Sequence, residues 1–186
     1  MAAQGAVFLT SPPGYAILFV DVTREEVQLF SVGDKVVYPM HGAGVIEAIE
    51  EREVLGQKQQ YYIMRLPVGD MKVMIPTNNV SSVGLRQVIG ETEVDKVFAV
   101  LKSCRTKMST NWNRRYRANL EKIKSGNIYE VAEVVRNLVL RDREKGLSTG
   151  ERKMLDSARQ ILVSELVLAK GIEEKAANNI LDEVLA

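Results

Sequence analysis

At 186 residues, with 46% hydrophobic and 26% charged side chains, the chain can build one large or two small globular domains, and no apolar run is long enough to span a bilayer. One cysteine (Cys104) and one histidine (His41) exclude an internal disulfide framework and structural zinc, fit a reducing cytoplasmic setting, and leave no cofactor or metal expected. The net charge of +1 conceals an asymmetry: residues 102–124 hold eight basic side chains against Glu121 alone, a local +7, whereas residues 30–90 balance to zero. A local positive patch points to a polyanionic partner.

Residues 1–28 read poorly as part of a fold. Ser11-Pro12-Pro13-Gly14 is a breaker cluster, Tyr15–Val20 is too short for a membrane span, and no basic region precedes it as in a signal peptide. One reading is a loosely docked tail. The other is a stretch that is not natively translated. Arg24-Glu25-Glu26 can be written AGG-GAG-GAG, which resembles a bacterial ribosome-binding site, and Leu29 can be TTG, an alternative start codon. Translation is therefore expected to begin at Leu29, and the intact mass of native protein tests this.

Residues 29–90 carry the signals of short strands. Lys35-Val36-Val37-Tyr38 is a β-branched and aromatic run closed by Pro39, and His41-Gly42-Ala43-Gly44 supplies a turn. Gly44–Glu53 alternates, Gly56-Gln57-Lys58 turns, and Gln60–Leu66 and Met71–Ile75 follow, the last closed by Pro76. Strands at roughly ten-residue spacing predict a small antiparallel barrel or sandwich. His41 lacks a nucleophile or paired carboxylate at a useful spacing, so a turn role outweighs catalysis. Tyr61 and Tyr62 point to opposite faces of a strand, which leaves one for the core and makes a ligand cage a poor fit.

Residues 91–186 change to helical periodicity. Thr92 is a candidate cap for a helix carrying Val94, Val97, Phe98 and Leu101. Ser109 or Thr110 can cap a second, through Trp112, Tyr116, Leu120 and Ile123 to Gly126. Asn127 with Glu130 opens a third, which Gly146 stops. Ser148 with Glu151 forms a capping box for a fourth, Gly171 ends it, and residues 172–185 form the last. An all-helical domain follows.

Within it, Ser109-Thr110-Asn111-Trp112-Asn113-Arg114-Arg115-Tyr116-Arg117 combines the only tryptophan with three arginines in the first turns of a helix. Arginine neutralises phosphate, a helix N-terminus favours it, and an aromatic ring can stack on a base or wedge into a distorted step. The opposing reading buries Trp112 beside Tyr116 on the core face and leaves the arginines as a solvated surface. Exposure of the indole separates the two.

Phe30-Ser-Val-Gly-Asp-Lys-Val-Val-Tyr-Pro-Met-His-Gly-Ala-Gly-Val-Ile resembles the opening of CarD/CdnL transcription regulators, which share this domain with the transcription-repair coupling factor. Thr110–Lys122 is similar to their DNA-contacting segment, and Glu133–Leu138 and Leu147–Leu162 resemble the rest of their helical domain. The resemblance implies an α+β protein: a Tudor-like antiparallel β-barrel that binds the RNA polymerase β subunit, partly by strand pairing, and a compact helical domain that contacts promoter DNA. It assigns Trp112 as a wedge at the upstream edge of the transcription bubble that stabilises the open complex. Asn111, Arg114, Arg115, Arg117 and Lys122 are assigned beside it on DNA. Arg52 matches an arginine implicated in the polymerase contact. Met74 stands where relatives often carry a basic residue, and Lys72, two residues away on the same face, is the candidate compensator.

The alternative is a nucleic-acid-binding protein that acts without polymerase, which would use the same basic helix. Helicase motifs are absent, and so is any acid–base constellation or phosphate-cradling loop, which argues against a coupling factor's motor and against an enzyme.

Overall fold

The computed structural model describes residues 30–54 and 56–186, so both readings of residues 1–28 and the expected start at Leu29 lie outside it. Strand β1 (Lys35–Tyr38) pairs antiparallel with β2 (Gly42–Val54), which pairs with β3 (Gln57–Leu66), which pairs with β4 (Met71–Pro76). A 3₁₀ turn (Thr77–Asn79) and a one-turn helix α1 (Val80–Val83) lead to the two-residue strand β5 (Arg86–Gln87) on the far side of β1. Five helices follow or include this point onward as α2 (Glu91–Lys102), α3 (Trp112–Lys124), α4 (Ile128–Lys145), α5 (Thr149–Lys170) and α6 (Glu174–Leu185).

The α+β class holds, but the barrel does not close. The sheet runs β4-β3-β2-β1-β5, and its two edge strands are not paired with each other. Closure would need a long final strand. Instead the chain after β4 forms the 3₁₀ turn and α1, whose Val80, with Leu85 beyond it, packs into the core of the sheet. A bulge where Ile46 and Ala48 shift register bends the long β2 over the same core. That core is built from Phe30, Val36, Ile46, Tyr62, Met64, Leu66 and Ile75. Of the adjacent pair, Tyr62 joins this core, as expected of one of them, and Tyr61 is buried as well but outside it.

The helical half has a separate core of Val94, Val97, Val134, Leu138, Leu162, Leu166 and Leu181 with their neighbours. Its starts differ from expectation in detail. Helix α2 begins at Glu91, with Gly90 preceding it and the Glu93 carboxylate accepting the Gly90 N–H at 3.1 Å, so Thr92 lies inside the first turn. Helix α3 is capped by Asn111, whose Oδ1 accepts the Arg114 N–H at 3.1 Å, and neither Ser109 nor Thr110 takes that place. Asn127 caps α4 through the Tyr129 N–H, while Glu130 turns to Ser125. The Ser148–Glu151 box forms as expected, and Gly171 ends α5 in the left-handed region.

Helix α5 joins the two halves. The Ala43 N–H donates to Ser164 Oγ at 2.8 Å, and Lys35 Nζ donates to the Leu168 carbonyl at 2.8 Å. Arg86 clamps the fully buried Glu165 with two hydrogen bonds of 2.6 and 2.9 Å, and Ile89 N–H adds a third at 3.2 Å. A buried carboxylate is tolerated only when paired and hydrogen-bonded in this way. Gly42 is required at its position, because a Cβ there would lie 2.5 Å from Ser164 Oγ and its φ is +103°. His41 lies in the β1–β2 turn with its ring tilted against Tyr38, centroids 4.6 Å apart. No helix among the described residues is long and apolar enough to cross a membrane.

Candidate nucleic-acid interface

The N-terminus of α3 meets the N-terminus of α5. Trp112, the first residue of α3, is 43% exposed, and its ring stacks on Tyr116 with centroids 5.0 Å apart. Tyr116 in turn packs on the helical core, so the indole is supported from beneath while its outer part meets solvent. The indole N–H donates to Ser148 Oγ at 3.0 Å. Gly150, in the first turn of α5, lies against the same ring: a Cβ there would touch Trp112 Cζ2 at 3.4 Å.

The arginines divide by helical phase. Arg114 and Arg117 are exposed and take part in no ion pair among the described residues. Arg115 is 4% exposed and faces inward, which corrects its assignment to DNA. Its Nε donates to Glu151 Oε1 at 2.6 Å, and Nη1 reaches the carbonyls of Ser109 and Thr110 at 2.8 and 3.2 Å. Lys122, half-buried, is likewise spent on Glu133 at 2.6 Å, which leaves it a poor phosphate ligand. Arg105 pairs with Glu144, and Lys124 with Glu121. The local +7 of the sequence is therefore reduced, through carboxylates brought in chiefly by α4 and α5. Arg114, Arg117, Lys102 and Lys107 carry what remains.

Two carboxylates in this region are held below their ordinary range. Burial pushes the Glu151 carboxyl up, but hydrogen bonds from Arg115 and from the Ser148 N–H and hydroxyl outweigh it and bring it down. Glu133 behaves alike: burial raises it, and the bonds from Lys122 and Thr106 lower it further. The segment between α2 and α3 is tied to this network by Arg136, which donates to the Val100 carbonyl, Ser103 and Thr106. These bonds place the chain that delivers Trp112. Ser148 and Glu151 were missed as functional neighbours; their only signal was the capping box, which reads as a helix start.

Among the described residues, β4 is an edge of the sheet and pairs with β3 alone. Met71 and Met74 on it are 48% and 47% exposed. Lys72 shares a strand face with Met74, but its ammonium is paired with Glu47 at 2.8 Å and holds that carboxyl below its usual range. It is therefore a partly committed substitute for a free cation at Met74. Arg52 is exposed near the β2–β3 hairpin tip and bonds Glu50. Arg52 is level with Gln59 on β3 and Lys72 with Arg65, so about 20 Å of strand separates them, and they do not form one cluster.

A family model described as the CarD-like/TRCF RID domain matches residues 30–89, and one described as the CarD C-terminal domain matches residues 96–182. The "Putative transcription factor YdeB" of Bacillus subtilis (strain 168) is 46% identical over 147 residues, 79% of this chain and 96% of that protein. The chain belongs to the CarD/CdnL family. Among solved structures, "CdnLNt from Myxoccoccus xanthus" is 49% identical, covering 34% of this chain and 89% of that one, with a TM-score of 0.30. CarD/CdnL membership implies a transcription regulator that acts with RNA polymerase. The two family matches fall on the sheet and on α2–α6, so each half described above has its own counterpart in the family.

Proposed function

We propose that this CarD/CdnL protein docks on the RNA polymerase β subunit through the β4 edge and steadies the promoter open complex with Trp112. The half-exposed indole at the start of α3, in the same first turns as Arg114 and Arg117, which are exposed and free of ion pairs among the described residues, carries the reading. Arg114 and Arg117 neutralise phosphates and orient the helix without reading sequence. The ring then stacks at the junction of duplex and unwound strand. Such stacking contributes roughly 1–3 kcal/mol, enough to change the open-complex population about ten-fold or more.

Docking through β4 is favoured because an unpaired strand edge offers backbone donors and acceptors to a second strand, while exposed methionines adapt to the partner's surface. Arg52 supplies a charged contact away from that edge, near the hairpin tip. The test is open-complex lifetime with purified polymerase. Trp112→Ala is expected to leave binding to an isolated β-subunit lobe intact and to shorten the lifetime several-fold. A lifetime equal to wild type removes the wedge. Absence of binding to the β lobe, with DNA binding retained, replaces this reading by the polymerase-independent one.

A further inference from the structure

Trp112 does not stand alone on its surface. Its N–H ends a chain of hydrogen bonds that starts in the protein interior. Arg115 Nε donates to Glu151 Oε1 at 2.6 Å, and Arg141 Nε lies 3.4 Å from the same oxygen. The other carboxylate oxygen, Oε2, accepts from the Ser148 hydroxyl at 2.9 Å and from the Ser148 N–H at 3.2 Å. Ser148 Oγ, its own proton committed to Glu151, is left with a lone pair that accepts the indole N–H at 3.0 Å. Both Arg115 and Glu151 are buried, so the chain is anchored where water does not compete.

We infer that Ser148, oriented by Glu151 and its two arginines, is the positioning residue that fixes the Trp112 indole in one pose before DNA arrives. The inference rests on the wedge reading proposed above. A ring held by a stack on Tyr116 and by one directed hydrogen bond loses little rotational freedom on inserting, so its stacking is not diminished by ordering. The same bond occupies the only donor of the indole. The wedge therefore offers a base its π-face and no hydrogen bond, and its action is indifferent to the base at the bubble edge.

Trp112 is the only tryptophan in the chain, so its fluorescence reports the ring directly. Ser148→Gly removes the acceptor while keeping a residue that starts helices well. Acrylamide quenching of the indole is expected to rise about two-fold, and open-complex lifetime to fall about three-fold, the effect of ordering one side chain on binding. Ser148→Thr restores the hydroxyl and is expected to return both to wild type. Trp112→Phe, which leaves the capping box intact, is expected to match the lifetime of Ser148→Gly and supplies the comparison if the glycine variant does not fold. Unchanged quenching in Ser148→Gly overturns the inference. So does a freed indole with an unchanged lifetime, provided Trp112→Ala does shorten it. If Trp112→Ala is itself without effect, the wedge reading fails and this inference goes with it.

Discussion

Replacing Arg115 and Arg114 in turn by alanine separates a structural arginine from a surface one, although they are neighbours in sequence. Arg115→Ala leaves Glu151 buried with one of its two guanidinium partners gone. Breaking a buried pair from one side typically costs 3–5 kcal/mol, and Arg141 at 3.4 Å offsets part of this, which sets the expected loss at about 3 kcal/mol. With a urea dependence of about 2 kcal/mol per molar, the unfolding midpoint falls by about 1.5 M. Arg114→Ala removes an exposed side chain and is expected to change stability by less than about 0.5 kcal/mol. Its effect falls on DNA instead, with weaker binding on every sequence and a salt slope reduced by about one. Urea melts and salt-titrated DNA binding of the two variants give the comparison. If Arg115→Ala melts like wild type and loses DNA affinity as Arg114→Ala does, the inward phase of residue 115 is wrong.

Three other perturbations test separate parts of the molecule. Gly42→Ala forces a Cβ to 2.5 Å from Ser164 Oγ at a φ of +103°, and is expected to lower stability by about 2–4 kcal/mol in calorimetry. The carboxyls of Glu151 and Glu133 lie below their unfolded values when folded, so the stability they add is complete above about pH 4.3 and is lost as pH falls through their folded values. Glu151→Gln is expected to flatten that acid loss in pH-dependent urea melts; an unchanged profile removes Glu151 as a contributor. Arg52→Glu is expected to weaken association with the β-subunit lobe roughly three- to ten-fold at low salt, less at high salt, and mainly through the on-rate.

What the sequence made legible follows from how local each signal is. A β-branched run, alternation along Gly44–Glu53 and turn residues between them marked β1 to β4, and the Ser148–Glu151 box and the stop at Gly171 were each readable over a few residues. Closure of the barrel was not, since it depends on whether residues 77–85 extend or coil, and this stretch is short and polar with only Val80, Val83 and Leu85 to place. The resemblance assigned Arg115 to DNA together with Arg114 and Arg117, without regard to helical phase. Arg115 follows Trp112 by three residues and precedes Asn119 by four, and Ile123 continues the same buried stripe. Its partner Glu151 lies 36 residues away, so no window on α3 alone shows that the charge is neutralised. The same holds for Lys122 and Glu133.

Under the proposed function the two binding surfaces are referenced to one helix. Ser148 caps the start of α5 and holds Trp112, whereas Ser164, Glu165 and Leu168 toward its other end hold Ala43, Arg86 and Lys35 of the sheet. At 1.5 Å per residue, Ser148 and Ser164 are about 24 Å apart along a continuous helix, a spacing that a flexible linker would blur. Docking the sheet on polymerase thus makes insertion of the ring an intramolecular event whose effective concentration depends on how well that spacing matches the bubble edge. The Arg86–Glu165 clamp, whose carboxylate is fully buried, sits where the chain passes from sheet to helices, and it is the element that holds the two halves at a fixed spacing. A chain with intact binding surfaces but a loosened clamp would still bind polymerase and DNA separately, and would lose the advantage of binding both at once.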